Sequence, residues 1–184
     1  NQVTYQADQP DQYIHRYCYD ADNRLEKVLT SDLGYVWDEH AEYFYYLHGP
    51  LARTEIGEHK VQGSDYAYTS QGWLKGINGD GLNAVTEMGH DGWTDTAPAK
   101  TNTNQNQGKD VYGFTLTYYE NDAGDKDYKQ IGSVANFQAT NAIGSTLRDE
   151  SRNLYNGNIS QMTISKPVYD NNTSQYNDNT QGYA

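Results

Sequence analysis

The sequence predicts an all-β fold of antiparallel β-hairpin repeats with a long Asn/Gly/Thr-rich loop, and three observations lead there. Tyrosine supplies 18 of the 184 residues, against 3 Phe, 2 Met and 3 Trp. Tyrosines recur in the pattern Tyr-x-Tyr, followed by clusters of Asp, Asn, Gln and Gly. The apolar fraction is 35% and the mean hydropathy -0.97, where an autonomous globule usually reaches about 45 to 50% apolar with Gly counted. Tyr is a strand former with a polar tip, which suits half-buried sheet surfaces better than a thick oily interior. The expected structure is wet, sheet-rich and thin in its core.

The elements follow in chain order. Tyr17, Tyr19, Asp20, Leu25 and Val28 stand at the same offsets as Tyr66, Tyr68, Thr69, Leu74 and Ile77. Phe44, Tyr46, Gly49, Leu51 and Arg53 give a third, looser copy with a register slip of one. Each copy reads as a hairpin: Tyr-x-Tyr puts two rings on one strand face, and Asp20, Asp22 and Asn23, or Gln71 and Gly72, reverse the chain. A lone hairpin is marginal in water, so stacked neighbours are expected to bury a shared tyrosine face, with Tyr19 and Tyr68 at equivalent inward sites. Residues 1–79 are thus hairpin repeats. Residues 80–110, including the wholly polar run 101–108, are a loop or insertion. Residues 111–165 carry further hairpins: strand signals at 111–119, a turn-rich run at 120–127, a short helix within 133–152 through Val134, Phe137, Ile143 and Leu147, then strand, Asn156-Gly157 turn and strand over 154–164. Residues 166–184 form a polar tail leading into a further repeat.

Charge and motifs exclude several function classes. The net charge is -12, from 25 acidic and 13 basic residues without a basic cluster, so no nucleic-acid partner is expected. No apolar run can span a membrane as a helix. Nothing at the N-terminus has signal-peptide form, so any export signal is expected beyond this stretch. Cys18 is alone and reads as a packed thiol between two tyrosines. G-x-S-x-G, H-E-x-x-H and G-x-x-x-x-G-K-[ST] are all absent. The chain is therefore expected not to be an enzyme, with no catalytic, cofactor-binding or metal residues and no cofactor.

Weaker constellations favour bland readings. His15, His40, His48, His59 and His90 lack metal-ligand spacing and read as surface or turn residues. Asp38, Glu39 and Glu42 read as a solvated loop rather than an acid-base cluster. Glu120, Asn121, Asp122, Asp125 and Asp127 offer oxygen ligands around Gly124 but depart from calcium-loop spacing. Asn158 and Asn171 fit a glycosylation acceptor, a pattern too frequent to decide anything. Of the tryptophans Trp37, Trp73 and Trp93, Trp73 reads as packing between ribbon strands, and Trp93 as the better contact residue.

Residues Tyr17-Cys18-Tyr19-Asp20-Ala21-Asp22-Asn23-Arg24-Leu25 resemble the tyrosine-aspartate signature of RHS/YD-repeat proteins. The stretches 43–53 and 61–78, with Met88-Gly89-His90-Asp91-Gly92, Val111-Tyr112-Gly113-Phe114 and Tyr155-Asn156-Gly157-Asn158-Ile159, are similar to the RHS-repeat, polymorphic-toxin-like proteins of Bacteroidota. The resemblance implies part of a coiled β-ribbon shell that encapsulates or presents a toxin, in a secreted or cell-surface protein. The implied partners are the remainder of the same RHS polypeptide and an encapsulated toxin, with self-association through strand edges. An extracellular adhesin or assembly subunit binding a protein or glycan surface is the alternative. The self-cleavage of some toxin members uses aspartates around Asp-Pro pairs; this sequence has no such pair, so that activity does not carry over. Both ends of the chain read as lying within repeat units.

Overall fold

The structure, a computed structural model, describes residues 1–79, 82, 87–92, 104–118, 154, 156–170 and 175–183, with backbone alone at 169–170 and 175–183. Ten β-strands and no helix occur among these residues. The fold is all-β and antiparallel, as expected. The helix expected within 133–152 and the turn-rich run 120–127 lie outside the described residues, as does Trp93. The chain forms two compact units, Asn1–Ser64 and Asp65–Ala184.

In the first unit, β1 (Gln2–Tyr5), β2 (Tyr13–Tyr19), β3 (Leu25–Ser31), β4 (Asp38–Tyr45) and β5 (Leu51–Ile56) each pair antiparallel with the next strand in the chain. Register sorts the side chains onto two faces, because directly opposed residues share a face. Tyr17 opposes Val28, and Val28 opposes Ala41, so the buried Val28 and Ala41 share a face with the odd-numbered rings of β2. The other face carries an ionic ladder. Lys27 Nζ lies 2.9 Å from both Glu39 and Glu42; Lys60 Nζ lies 3.0 Å from Glu42 and 2.6 Å from Glu55; Arg53 Nε lies 3.0 Å from Glu55.

In the second unit, β6 (Gln62–Tyr68, from Asp65 onward), β7 (Leu74–Ile77), β8 (Gly113–Thr117), β9 (Gln161–Asp170) and β10 (Gln175–Tyr183) continue the same neighbour-to-neighbour pairing. Its interior is polar. Thr115 opposes Thr163, Thr117 opposes Gln161 and Gly113 opposes Ser165, and the five side chains on this face are at most 2% exposed. The close packing leaves no room at Gly113, where a Cβ would come within 2.5 Å of the Gly79 carbonyl oxygen.

Two details of the expected layout changed. Leu154 is not in a strand; the Asn156-Gly157 turn forms, with Gly157 at φ 85°, and β9 begins only at Gln161. In the polar tail, residues 166–170 and 175–183 are paired backbone: β9 and β10 run in register from Met162 opposite Tyr183 to Asp170 opposite Gln175. Polar side chains do not prevent a strand whose backbone groups are satisfied by a neighbour. Pro167 lies past Ser165, the last β9 residue paired with β8, where a missing N–H is tolerated.

Candidate functional site

The feature that repeats is a turn. Three hairpins, β2–β3, β4–β5 and β6–β7, share one geometry. Tyr17 opposes Val28, Tyr43 opposes Thr54 and Tyr66 opposes Ile77; one step on, Tyr19 opposes Leu25, Tyr45 opposes Leu51 and Tyr68 opposes Leu74. Between these pairs each hairpin has a register shift, which leaves Glu26, Ala52 and Lys75 as the extra residue. The backbone bonds match as well. The N–H groups of Asp20, Tyr46 and Thr69 donate to the carbonyls of Arg24, Pro50 and Trp73, and those of Asn23, Gly49 and Gly72 donate to the carbonyls of Asp20, Tyr46 and Thr69. Asn23, Gly49 and Gly72 all have positive φ, which is why this position is Asn or Gly.

The expected register slip in the middle copy is therefore corrected. Its equivalents are Tyr43, Tyr45, Tyr46, Leu51 and Thr54, at unbroken offsets. In the four-residue aromatic run 43–46, alternation alone does not fix which rings form the pair.

Side chains at the first turn position follow from the same geometry. Asp20 Oδ1 accepts the N–H groups of Asp22 (2.9 Å) and Arg24 (2.8 Å), and Oδ2 accepts Arg24 Nε (2.7 Å). The Arg24 N–H and the Arg24 side chain are the main causes that hold the Asp20 carboxyl below its ordinary range, against burial. Thr69 Oγ1 plays the same part for the Trp73 N–H at 3.1 Å. Tyr46 has no such acceptor and needs none, because the residue it would serve is Pro50, which has no N–H.

A second device ties two of the hairpins, β2–β3 and β6–β7, to a following tyrosine. The Tyr45 hydroxyl donates to the Leu25 carbonyl at 2.8 Å, and Arg24 lies 4.6 Å over the Tyr45 ring. The Tyr118 hydroxyl donates to the Leu74 carbonyl at 2.8 Å, with the Trp73 ring 5.0 Å away. In both, the hydroxyl reaches the turn-following Leu and the ring covers the residue before it. This places Trp73 in packing, as the sequence suggested.

The expectation that Tyr19 and Tyr68 are equally inward is corrected. Tyr68 is half-buried, but Tyr19 is 43% exposed.

The other candidates disperse into structure. Glu39 and Glu42 join the ionic ladder, where the Lys27 and Lys60 hydrogen bonds outweigh burial and lower the Glu42 pKa. His15 packs among Tyr5, Tyr13 and Tyr17, its Nδ1 3.2 Å from the Tyr17 hydroxyl, and its ring lies 6.4 Å from His40. Among the described residues no group of three or more His, Cys, Asp or Glu has the arrangement to hold a metal ion.

One polar centre was not foreseen. Glu87, Asp91 and Asp110 are buried together at 3%, 0% and 5% exposure. Glu87 accepts the N–H groups of Gly89 (2.7 Å) and Asp91. Asn78 Nδ2 donates to Asp110 Oδ1 (2.9 Å) and to the Tyr112 carbonyl (3.0 Å), while its Oδ1 accepts the Asp65 N–H (2.7 Å). The Asp110 and Glu87 carboxyls lie close enough to act on each other. Burial, then the charge of Glu87, push the Asp110 pKa up to about 8, and burial raises that of Glu87 as well. Only the isolated Glu and Asp letters were visible in the sequence, with nothing to say that they meet.

Compared with protein-family models, with curated proteins and with solved structures, the chain matches none.

Proposed function

We propose that this chain is a non-catalytic structural segment of a secreted or cell-surface RHS/YD-repeat protein, forming part of a shell that encapsulates or presents a toxin. The observation that carries the reading is the threefold return of one hairpin: the same tyrosine pair, the same turn bonds and the same extra residue after the Leu. Such a unit adds strands indefinitely without chemistry of its own, which is what a wall requires. The hydroxyls of Tyr45 and Tyr118 reach back to the β2–β3 and β6–β7 hairpins that precede them.

The test uses the full-length secreted protein. Electron microscopy should show a closed, hollow particle, and the segment following the repeats should resist protease until the particle is denatured. A solid or open particle whose following segment is cut at once would overturn the reading. A second reading, an adhesin or assembly subunit, is favoured by the exposed Leu33, Tyr35 and Val36 in the β3–β4 turn, 73 to 88% exposed. Binding of the intact protein to cell-surface protein or glycan, lost on replacing these three by Ser, would support it.

A further inference from the structure

The buried carboxyl centre of the second unit ties together segments far apart in the chain. Asn78 follows β7 and bonds to Asp65 of β6 on one side and to Asp110 and Tyr112 on the other. The Asn104 side chain donates to the Gly89 carbonyl at 2.7 Å, and the Gly92 N–H donates to the Asn104 carbonyl at 3.0 Å. Residues 87–92 are thus bound to 104–107, and 110–112 to the β6–β7 hairpin. The Glu87–Asp110 contact closes the circuit between the two.

That contact lacks a proton donor unless one of the acids supplies it. Asp110 Oδ1 is taken by Asn78, and Oδ2 is buried without a hydrogen-bond partner among the described residues. Glu87 already accepts two backbone N–H groups. The charges that act most strongly on Asp110 are those of Glu87 and Asp91 from 87–92 and Asp65 from β6, all acidic. The same elements carry Lys75, buried at 1% exposure, His90, and Lys109, which is exposed with its stem across Gly92; Lys75 and His90 have partners of their own. Two ionised carboxylates in contact here would repel in a poorly solvated site, whereas one proton between them makes a strong O–H···O⁻ bond.

We propose that the Glu87–Asp110 pair is a proton-operated latch, which clamps residues 87–92 and 104–110 to the β6–β7 hairpin in acid and neutral solution and releases them in alkali. The direction fits the raised pKa of both acids: the folded state holds a proton that the opened state gives up, so the clamp weakens as pH rises toward about 8. This inference is independent of the shell reading.

The test is amide hydrogen exchange on the intact chain from pH 5 to 9.5, corrected for intrinsic rates. The amides of Gly89, Gly92 and Gln107 report the latch, and that of Val28 in the first unit is the internal reference. In the wild type, protection of the three should fall on the order of tenfold per pH unit as the proton is lost, with Val28 unchanged. Asp110→Asn keeps a donor toward Glu87 without a titratable proton, so its protection should stay flat across the range. Should that variant fold poorly, Glu87→Gln offers the same donor from the other side and the same flat profile. Wild type and both variants losing protection in parallel, or a wild type flat to pH 9.5, would overturn the latch. So would protection in alkali restored by millimolar calcium, which would make the centre a cation site.

Discussion

The two units bury acids in opposite electrostatic settings. In the first, Glu42 lies between Lys27 and Lys60, and Asp20 grips the Arg24 N–H and side chain; both carboxyls are held below their ordinary range. In the second, Asp110 and Glu87 face each other and Asp91, and both are pushed up. A lowered acid contributes stability that is present above its unfolded pKa and lost as pH falls through the folded one. A raised acid contributes stability that is present below its unfolded pKa and lost as pH rises through the folded one. The difference teaches that one strand pairing rule can support two kinds of polar interior, one fastened by lysines and one by a shared proton.

The sharpest way to break the comparison is through the rings that join strands. Tyr118 is 4% exposed, packs on Trp73 and bonds to Leu74, so Tyr118→Ala should cost about 3 to 5 kcal/mol in urea unfolding, as large aromatic deletions in cores do. Tyr19→Ala, whose ring is 43% exposed, should cost well under half of that; equal losses would mean that the two hairpins are packed alike after all. Next in size is the response to pH. Exchange of second-unit amides in β8 should quicken as pH rises from about 4 to 8, by at most about 1.4 kcal/mol per pH unit for one proton. First-unit amides in β3 should hold over that window and weaken only below about pH 4, where free carboxylates take up protons. The two profiles changing together would erase the contrast.

Smaller effects come from the turns. Gly49 has φ 115°, so Gly49→Ala should cost about 1 to 2 kcal/mol, whereas Gly substituted for Asn23 should be nearly neutral; thermal unfolding of the two variants separates them. The smallest effect tests the link between Tyr46 and Pro50. Pro50→Ala exposes an N–H that Tyr46 has no acceptor for, and should lose roughly 0.5 to 1 kcal/mol. Adding Tyr46→Asp should restore part of it, and a double variant no better than the single would disprove the link.

Much of the hairpin structure in both units was legible because it is local. Tyr17 with Val28, and Tyr66 with Ile77, could be matched by offset, and the Asn or Gly position announces its positive φ. The middle copy was misread by one residue because four aromatics in a row hide which two face together. Tyr19 was misjudged since matching offsets fix a strand face but not how much of a ring is covered. Beyond its β6–β7 hairpin the second unit was far less legible. Its bonds run from Asn78 to Asp110 and from Tyr118 to Leu74, over chain separations that no short pattern spans. Its threonine-lined face breaks the expectation that a buried strand reads as apolar.

Asn78 also sets a chemical clock. It precedes Gly79, and Asn-Gly is the sequence most open to spontaneous loss of the side-chain amide through a cyclic imide. At Asn156-Gly157 that change falls on an exposed turn where Asn156 Oδ1 accepts the Asn158 N–H, a bond an aspartate would keep. At Asn78 it would replace the donor to Asp110 and Tyr112 by a further acid among Glu87, Asp91 and Asp110. The donor's engagement in two hydrogen bonds and its burial at 2% exposure shield it from that fate while the fold holds. An episode of unfolding removes the shield, so damage at Asn78 would record the protein's history of opening, and one such event would leave a molecule less able to close again.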